Sequence, residues 1–340
     1  MILDLLTQSY DYELPKELIA LHPAHPADSA KLLVYDRRSD TIIHTTFSNI
    51  LKFIPKECAI FLNDTKVVKA RIFGKKASGG SVELLLNKPL PNNNFLVMIR
   101  GKVKVGTKLF FENDLLATVT QLNSDGSRVV VFEQYNKILN FEELIKILEL
   151  IGHVPLPPYI QRDDTTEDTR DYQSLFAAKA GAVAAPTASL HFTPELFELL
   201  KQEYETHTLT LHVGAGTFKP VDCDEILSHP MHSEQFHIST NTLAILQSDK
   251  PILAIGTTVT RTIEYFNRTN IASGECDLFL HPHNKPQRVD HLLTNFHLPK
   301  STLIMLVASF IGREKTLEIY KEAISKNYRF FSYGDTILIL

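Results

Sequence analysis

The chain has 340 residues, 44% hydrophobic and 22% charged, with 14 Gly and 17 Pro. This composition excludes a disordered or fibrous protein, and the length predicts about two domains with a sizeable core. Three scattered cysteines (Cys58, Cys223, Cys276) exclude a disulfide framework, and a net charge of −4 argues against a generic nucleic-acid sponge.

The N-terminal residues include Asp4 and Asp11 and form no basic n-region, so no signal peptide is expected. The longest strongly apolar run, 303–311, is far short of the ~20 residues a bilayer needs. The protein is expected in the cytoplasm, away from membranes. Pro15 predicts a short helix near 15–20, stopped by Pro23 and Pro26. Strands are predicted at 31–36, 40–47 and 59–62, the last running into Asn63, Asp64 and Thr65.

From Val67 six short strand segments follow, at 67–73, 81–86, 95–100, 107–111, 115–122 and 128–133, with turn residues between them. That pattern predicts a small closed β-barrel. Ten Lys and Arg residues lie between Lys66 and Lys108, against one acid, Glu83. A polyanion-binding face carrying Lys66, Arg71, Arg100, Lys102 and Lys104 is one reading, and a merely solvated face is the other. A helix at 141–151 closes this module, and the proline-rich stretch 152–159 leads out of it.

Beyond Gln173 strands and helices alternate. Helices are expected at 194–203, 242–247, 259–267, 302–311 and 315–326, and strands at 208–213, 235–239, 251–255, 276–280 and 336–340. The fold class is therefore an α/β main domain (1–65 plus 152–340) with a six-stranded β-barrel (66–151) inserted into it.

Several motifs carry chemistry. GAVAAPTASLHFT (181–193) is a loop of small residues, read as one that lets a ligand approach the backbone in preference to a buried structural loop, with Thr193 placed to cap the next helix. GAGTF (214–218) either offers close approach and spare N–H groups to a ligand through Gly214 and Gly216 or is a plain tight turn. It is not a dinucleotide fingerprint, because Lys219 stands where the third glycine belongs. GTTVTR (256–261) has the strand–glycine–helix form that binds anionic groups; Thr257 is either part of such a site or a simple cap. His191, His212, His232 and His297 sit in loops or at strand ends, where a near-neutral imidazole can serve as a proton shuttle, although any single one of them is more often a structural histidine. Asp64 at the module junction is a turn former or a ligand contact. HPMH (229–232) and HPH (281–283) lack a third ligand at diagnostic spacing, so no metal is expected. Read without further comparison, these residues indicate a cytosolic α/β enzyme of undetermined reaction.

NDT (63–65) with AR (70–71), GHVPLPPYI (152–160), 181–193, TLHVGAGTF (210–218), MHSE (231–234), LTNFHLPKST (293–302) and YRFFSYGD (328–335) together resemble the S-adenosylmethionine:tRNA ribosyltransferase-isomerase family of queuosine biosynthesis. The match runs in order over essentially the whole chain. It departs from the family pattern at Ser189, where glycine is expected, at 281–284 and at 100–104. The resemblance implies S-adenosylmethionine as a ribosyl-donating substrate, with no cofactor. The acceptor would be 7-aminomethyl-7-deazaguanine at the tRNA wobble position, and epoxyqueuosine-tRNA, adenine and methionine the products. It implies catalytic work for His191, His212, His297 and Asp64, with His191 favoured. Thr187, Thr193, Gly214, Gly216, Thr257, Arg261 and Asn295 would hold substrate, and the basic barrel the tRNA. A monomer is expected. An S-adenosylmethionine-dependent RNA methyltransferase and a non-catalytic tRNA-binding protein are the rival readings.

Overall fold

The structure is a computed structural model describing residues 3–218 and 221–340. In chain order its first strands are β1 (Lys31–Asp36), β2 (Thr41–Thr46) and β3 (Ala59–Asn63). The barrel region follows with β4 (Thr65–Val67), β5 (Arg71–Lys76), β6 (Ser81–Leu90), β7 (Asn94–Arg100), β8 (Lys108–Phe110), β9 (Leu116–Leu122), β10 (Arg128–Gln134), β11 (Lys137–Ile138) and helix α1 (Phe141–Ile151). The chain continues through α2 (Asp168–Asp171), β12 (Lys179–Ala182), α3 (Pro194–Glu203), β13 (Thr206–Leu211), β14 (Glu234–His237), α4 (Thr240–Leu246), β15 (Ile252–Ile255) and α5 (Thr257–Thr269). It ends with β16 (Ser273–Cys276), β17 (His291–Asn295), α6 (Thr302–Ile311), α7 (Arg313–Ser325) and β18 (Thr336–Ile339).

Nine strands form one mixed sheet in the order β16-β14-β13-β3-β15-β17-β18-β1-β2. Its centre, β13-β3-β15-β17, is parallel throughout, so four strand carboxyl ends share one edge. The innermost strands β3 and β15 are almost wholly apolar and fully buried because both faces are covered, whereas β13 alternates threonine with histidine and leucine. Leu253 and Ile255 face a layer built on α3, while Ile252 and Ala254 pack with Val259 and Ile263 of α5. β5 to β10 form the predicted six-stranded antiparallel barrel, closed by the pairing of β9 with β10. Leu144, Ile147 and Leu148 of α1 plug its core. Asn140 caps α1 with Glu143 in a reciprocal capping box.

The expected helix at 15–20 is only a single 3-10 turn, Lys16–Leu18, too short to offset the cost of helix nucleation between prolines. The expected strand at 67–73 is broken: β4 pairs with β12, and the chain re-enters pairing at Arg71, whose backbone exchanges hydrogen bonds with His153. Residues 68–70 are therefore the crossing into the barrel. The strand expected at 276–280 ends at Cys276, where the ladder with β14 stops.

Glu264 anchors α5 to the loop leading into β17. Its fully buried carboxylate accepts N–H bonds from Gln287 (2.9 Å), Arg288 (2.7 Å) and Val289 (2.8 Å) and pairs with Arg268 at 2.5 Å. Replacing Glu264 by Ala strands these donors and a guanidinium, and is expected to cost about 3–5 kcal/mol in urea unfolding. Asn140→Ala, which removes only a surface cap, is expected to cost about 1 kcal/mol in the same measurement.

Candidate active site

The shared edge of the four parallel strands is where α/β sheets bind ligands, and here it opens into connected cavities. A narrow cleft is walled by the small-residue loop (Ala184 to Ala188), by Gly256 to Thr258 at the start of α5, and by Thr294, Asn295 and His297 after β17. Tyr159 and Phe331, stacked at 4.4 Å between ring centres, flank it. Gly256 has φ of 101°, a left-handed turn that only glycine makes at low cost. That turn presents the first backbone N–H groups of α5. Ser301, the cap of α6, lines the same cleft. Two helix N-termini, with partial positive charge, thus border one space.

A wider cavity of about 690 Å³ lies between the sheet and the barrel. His212, Gly214, Gly216, Glu234 and Gly181 come from the sheet side, and Leu85, Asn87, Leu96 and Met98 from the barrel. A bulge in β6 between Leu86 and Lys88 takes Asn87 out of the ladder. Its Oδ1 instead accepts from the N–H of Ala215 at 3.1 Å. Gly181 leaves room for the imidazole of His212, since a Cβ there would stand 2.7 Å from its Nδ1. The cleft and the cavity meet at a gap lined by Gly216, Glu234, Thr257, Thr258 and Arg261.

The structure sorts the expected residues. Thr187, Thr257, Asn295 and His297 share the narrow cleft, and His212, Gly214 and Gly216 the wide cavity. His191 lines neither. It is buried against Phe47, and its Nε2 accepts from the Asn295 side-chain amide at 3.2 Å. The Asn295 Oδ1 in turn accepts from the Thr187 hydroxyl at 2.8 Å. His191 therefore orients Asn295 and Thr187 from behind; core packing has turned its ring away from the cleft. Thr193 is spent on capping α3 through the Leu196 N–H. Arg261 borders the gap, yet its guanidinium is engaged by Glu234 (2.5 Å) and by the carbonyls of Leu278 and Cys276. The spare N–H of Gly214 is likewise taken, by Glu234 Oε1 at 2.9 Å. Asp64 accepts from Thr210 Oγ1 at 2.6 Å and stands near enough to His212 to favour its charged form. The side chains of Thr217 and Phe218 and all of Lys219 lie outside the described residues.

His212 Nδ1 lies 2.8 Å from Thr65 Oγ1, and the Thr65 hydroxyl points to the carbonyl of Lys179 at 3.5 Å. In the tautomer this implies, Nδ1–H donates to Thr65 and Nε2 keeps its lone pair. Burial holds the His212 pKa below its ordinary value. Burial also pushes His297 and His191 down to about 3, the latter helped by Arg329. All three are neutral near pH 7. His297 Nε2 bonds Thr294 Oγ1 at 2.9 Å.

Of the expected RNA contacts, Arg71 and Arg100 border a second barrel-side cavity and flank Glu83. Lys102 and Lys104 are exposed on the following loop. Lys66 opens on a separate cavity and faces Glu149 at 3.8 Å. Among the described residues no three metal-ligating side chains converge, and no helix is long and apolar enough to cross a membrane. Asn63, fully buried at the end of β3, and Glu234, in the wall of the wide cavity, are legible in the sequence only as parts of the NDT and MHSE strings. Nothing in their spacing distinguishes a buried polar group from a surface one.

The profile of the queuosine biosynthesis protein family matches residues 7–339, and the chain belongs to that family. It is 64% identical over 340 residues to the S-adenosylmethionine:tRNA ribosyltransferase-isomerase of Aliarcobacter butzleri (strain RM4018), covering all of both chains. It is 60% identical to the protein of that name from a Nitratiruptor species, again over all of both chains. A crystal structure of S-adenosylmethionine tRNA ribosyltransferase from Thermotoga maritima is similar at a TM-score of 0.56 and 33% identity, covering 98% of this chain and 100% of that one.

Neutral buried imidazoles carry a sign for stability. Below the unfolded value near 6.5 the unfolded chain takes up protons that His191 and His297 refuse until about pH 3. Stability is therefore full above pH 6.5 and falls on acidification, by about 1.4 kcal/mol per pH unit for each ring. Urea unfolding at pH 7.5 and 5.5 is expected to differ by roughly 3 kcal/mol from these two rings.

Proposed function

We propose that this chain is an S-adenosylmethionine:tRNA ribosyltransferase-isomerase. It moves the ribosyl group of S-adenosylmethionine onto 7-aminomethyl-7-deazaguanine at the tRNA wobble position, giving epoxyqueuosine-tRNA, adenine and methionine. The observation that carries the reading is the end-to-end similarity to relatives of that name. The site geometry supports it by offering two abutting spaces, one for each substrate. No cofactor enters the proposal, and S-adenosylmethionine is consumed as a substrate. The enzyme would act as a cytoplasmic monomer.

The reaction sets four demands. A proton must leave C5′, which the adjacent sulfonium acidifies. Adenine must depart, the neutral acceptor amine must attack C1′, and methionine must leave as the epoxide closes. The narrow cleft suits the amino-acid end of the donor. The Thr257 end of α5 meets the carboxylate, and Thr187, held by Asn295, can accept from the ammonium. The wide cavity, about 690 Å³, suits the ribose and the acceptor base. His212 stands in its wall with Nε2 available, and we assign it the C5′ proton. Asp64 stabilises the imidazolium that results, and Thr65 fixes the ring. His297, in the cleft, serves a second proton transfer. His191 is a positioning residue, and Arg261 with Glu234 shapes the gap between the two spaces. Neutral imidazoles suit proton abstraction, because the base form is already populated at pH 7.

The test is chromatography of products from the chain, S-adenosylmethionine and tRNA bearing the deazaguanine. Free adenine and methionine, dependent on that tRNA, are expected. S-adenosylhomocysteine would instead mean methyl transfer, and tight tRNA binding without turnover a binding protein. His212→Ala is expected to slow adenine release by about 10²–10⁴-fold. The acid limb of kcat/KM should lie below pH 6.5, because protonating His212 removes the base.

Exposed Lys102 and Lys104 suit phosphate contacts. Their double exchange for Ala is expected to weaken all tRNAs alike. It should also flatten the dependence of log affinity on log salt by about one for each phosphate no longer neutralised.

A further inference from the structure

The cavity beside the reaction site has no role in the chemistry above. It encloses about 580 Å³ between the outer face of β5, β6 and β7 and the proline-rich segment 155–163. Leu85, Pro158 and Ala215 belong to its wall and to that of the 690 Å³ cavity, so the two are neighbours. On the barrel side its polar groups are Arg71, Glu83 and Arg100, and Gln161, Arg162 and Asp163 face them from the proline-rich segment. Glu83 pairs with Phe73 on β5 and with Arg100 on β7. The Arg71 Nε donates to Glu83 Oε1 at 2.7 Å, and the Arg71 guanidinium lies over the Phe73 ring at 5.0 Å. Arg100 stands 3.8 Å from Glu83 Oε2, a looser approach, with its side chain almost wholly in solvent. The terminal nitrogens of Arg71 have no acceptor among the described residues.

A site for phosphate alone would not place a carboxylate at its centre. Glu83 is the one acid among ten cations in this window, and it faces the cavity between two of them. A carboxylate flanked by guanidinium donors matches a flat edge bearing an N–H beside a carbonyl oxygen. Among RNA bases, uracil and guanine present that edge, and cytosine and adenine do not. Leu85, Leu156 and the prolines at 155, 157 and 158 form an apolar stretch of wall that suits the faces of a ring, and Gln161, Arg162 and Asp163 complete the rim. We propose that Glu83, held by Arg71 and Arg100, reads the base of the RNA nucleotide next to the acceptor nucleotide and prefers uracil or guanine there. This rests on the ribosyl-transfer reading for the identity of the neighbouring cavity. It makes Arg71 and Arg100 specificity-determining residues rather than simple phosphate clamps.

The test is fluorescence anisotropy of labelled RNA stem-loops that carry the acceptor guanine in the loop, with each of the four bases placed in turn on either side. On one side the wild-type chain is expected to bind uracil or guanine about ten- to hundredfold more tightly than cytosine. Glu83→Gln, whose amide can donate to cytosine N3 as well as accept, should collapse that ratio to about threefold or less by strengthening the cytosine RNA. Equal wild-type affinity for all four bases on both sides would overturn the proposal. So would a Glu83→Gln effect that is the same for every base. Adenine release is measured separately with deazaguanine-bearing stem-loops. Its absence would sink the ribosyl-transfer reading, while the binding ratios would still decide whether Glu83 reads a base.

Discussion

One buried amide holds the site together. Asn63, at the carboxyl end of β3, has no solvent exposure and uses every polar atom of its side chain. Its Nδ2 donates to the Leu211 carbonyl (2.9 Å) and to Thr258 Oγ1 (3.2 Å), and its Oδ1 accepts from the N–H groups of Thr65 and Leu211. Where the ladder between β3 and β13 ends, backbone groups would otherwise be buried without partners, at roughly 1–3 kcal/mol each. Asn63 supplies those partners and ties β13, the start of α5 and the crossing into the barrel to one point. The cleft, the wide cavity and the placement of His212 all depend on that joint.

Burial then sets the chemistry. His297, buried in the cleft wall, loses hydration that the Thr294 hydroxyl does not restore, and it stays neutral. Charged groups at the gap behave differently because they are paired. Glu234 and Arg261 are both buried, 2.5 Å apart, and Arg261 is pushed towards its charged form by that carboxylate despite desolvation. A neutral pair of proton acceptors on either side of a matched ion pair suits a reaction that moves protons between carbon and nitrogen.

The barrel contributes both charge and a wall. Its outer face on β5, β6 and β7 fronts two cavities, and the β6 bulge places Asn87 on the loop from the main sheet. Bulges re-aim side chains in this way at functional rims. The Arg71–His153 backbone bridge and the fit of Gly152 against Lys69 pin the two crossings together. A Cβ at Gly152 would lie 2.2 Å from the Lys69 carbonyl oxygen. The inserted module is thus held at its base rather than tethered by a loose linker.

Local pattern alone determined the class of each layer. Alternating apolar residues with turn chemistry announced the barrel, and glycine before a threonine-rich helix announced the α5 terminus. The ordered motif strings identified the family. What tertiary structure decided is which polar side chains reach the cavity. His191 and His297 carry the same local signal, a histidine beside small or polar residues in a loop. One faces the core behind Asn295 and the other lines the cleft. Arg261 reads as a free anion ligand until Glu234, 27 positions away, is folded against it. Glu83 reads as a stray acid until strand register sets it between Arg71 and Arg100. Periodicity is a property of neighbours along the chain, whereas direction, pairing and burial arise only when distant segments meet.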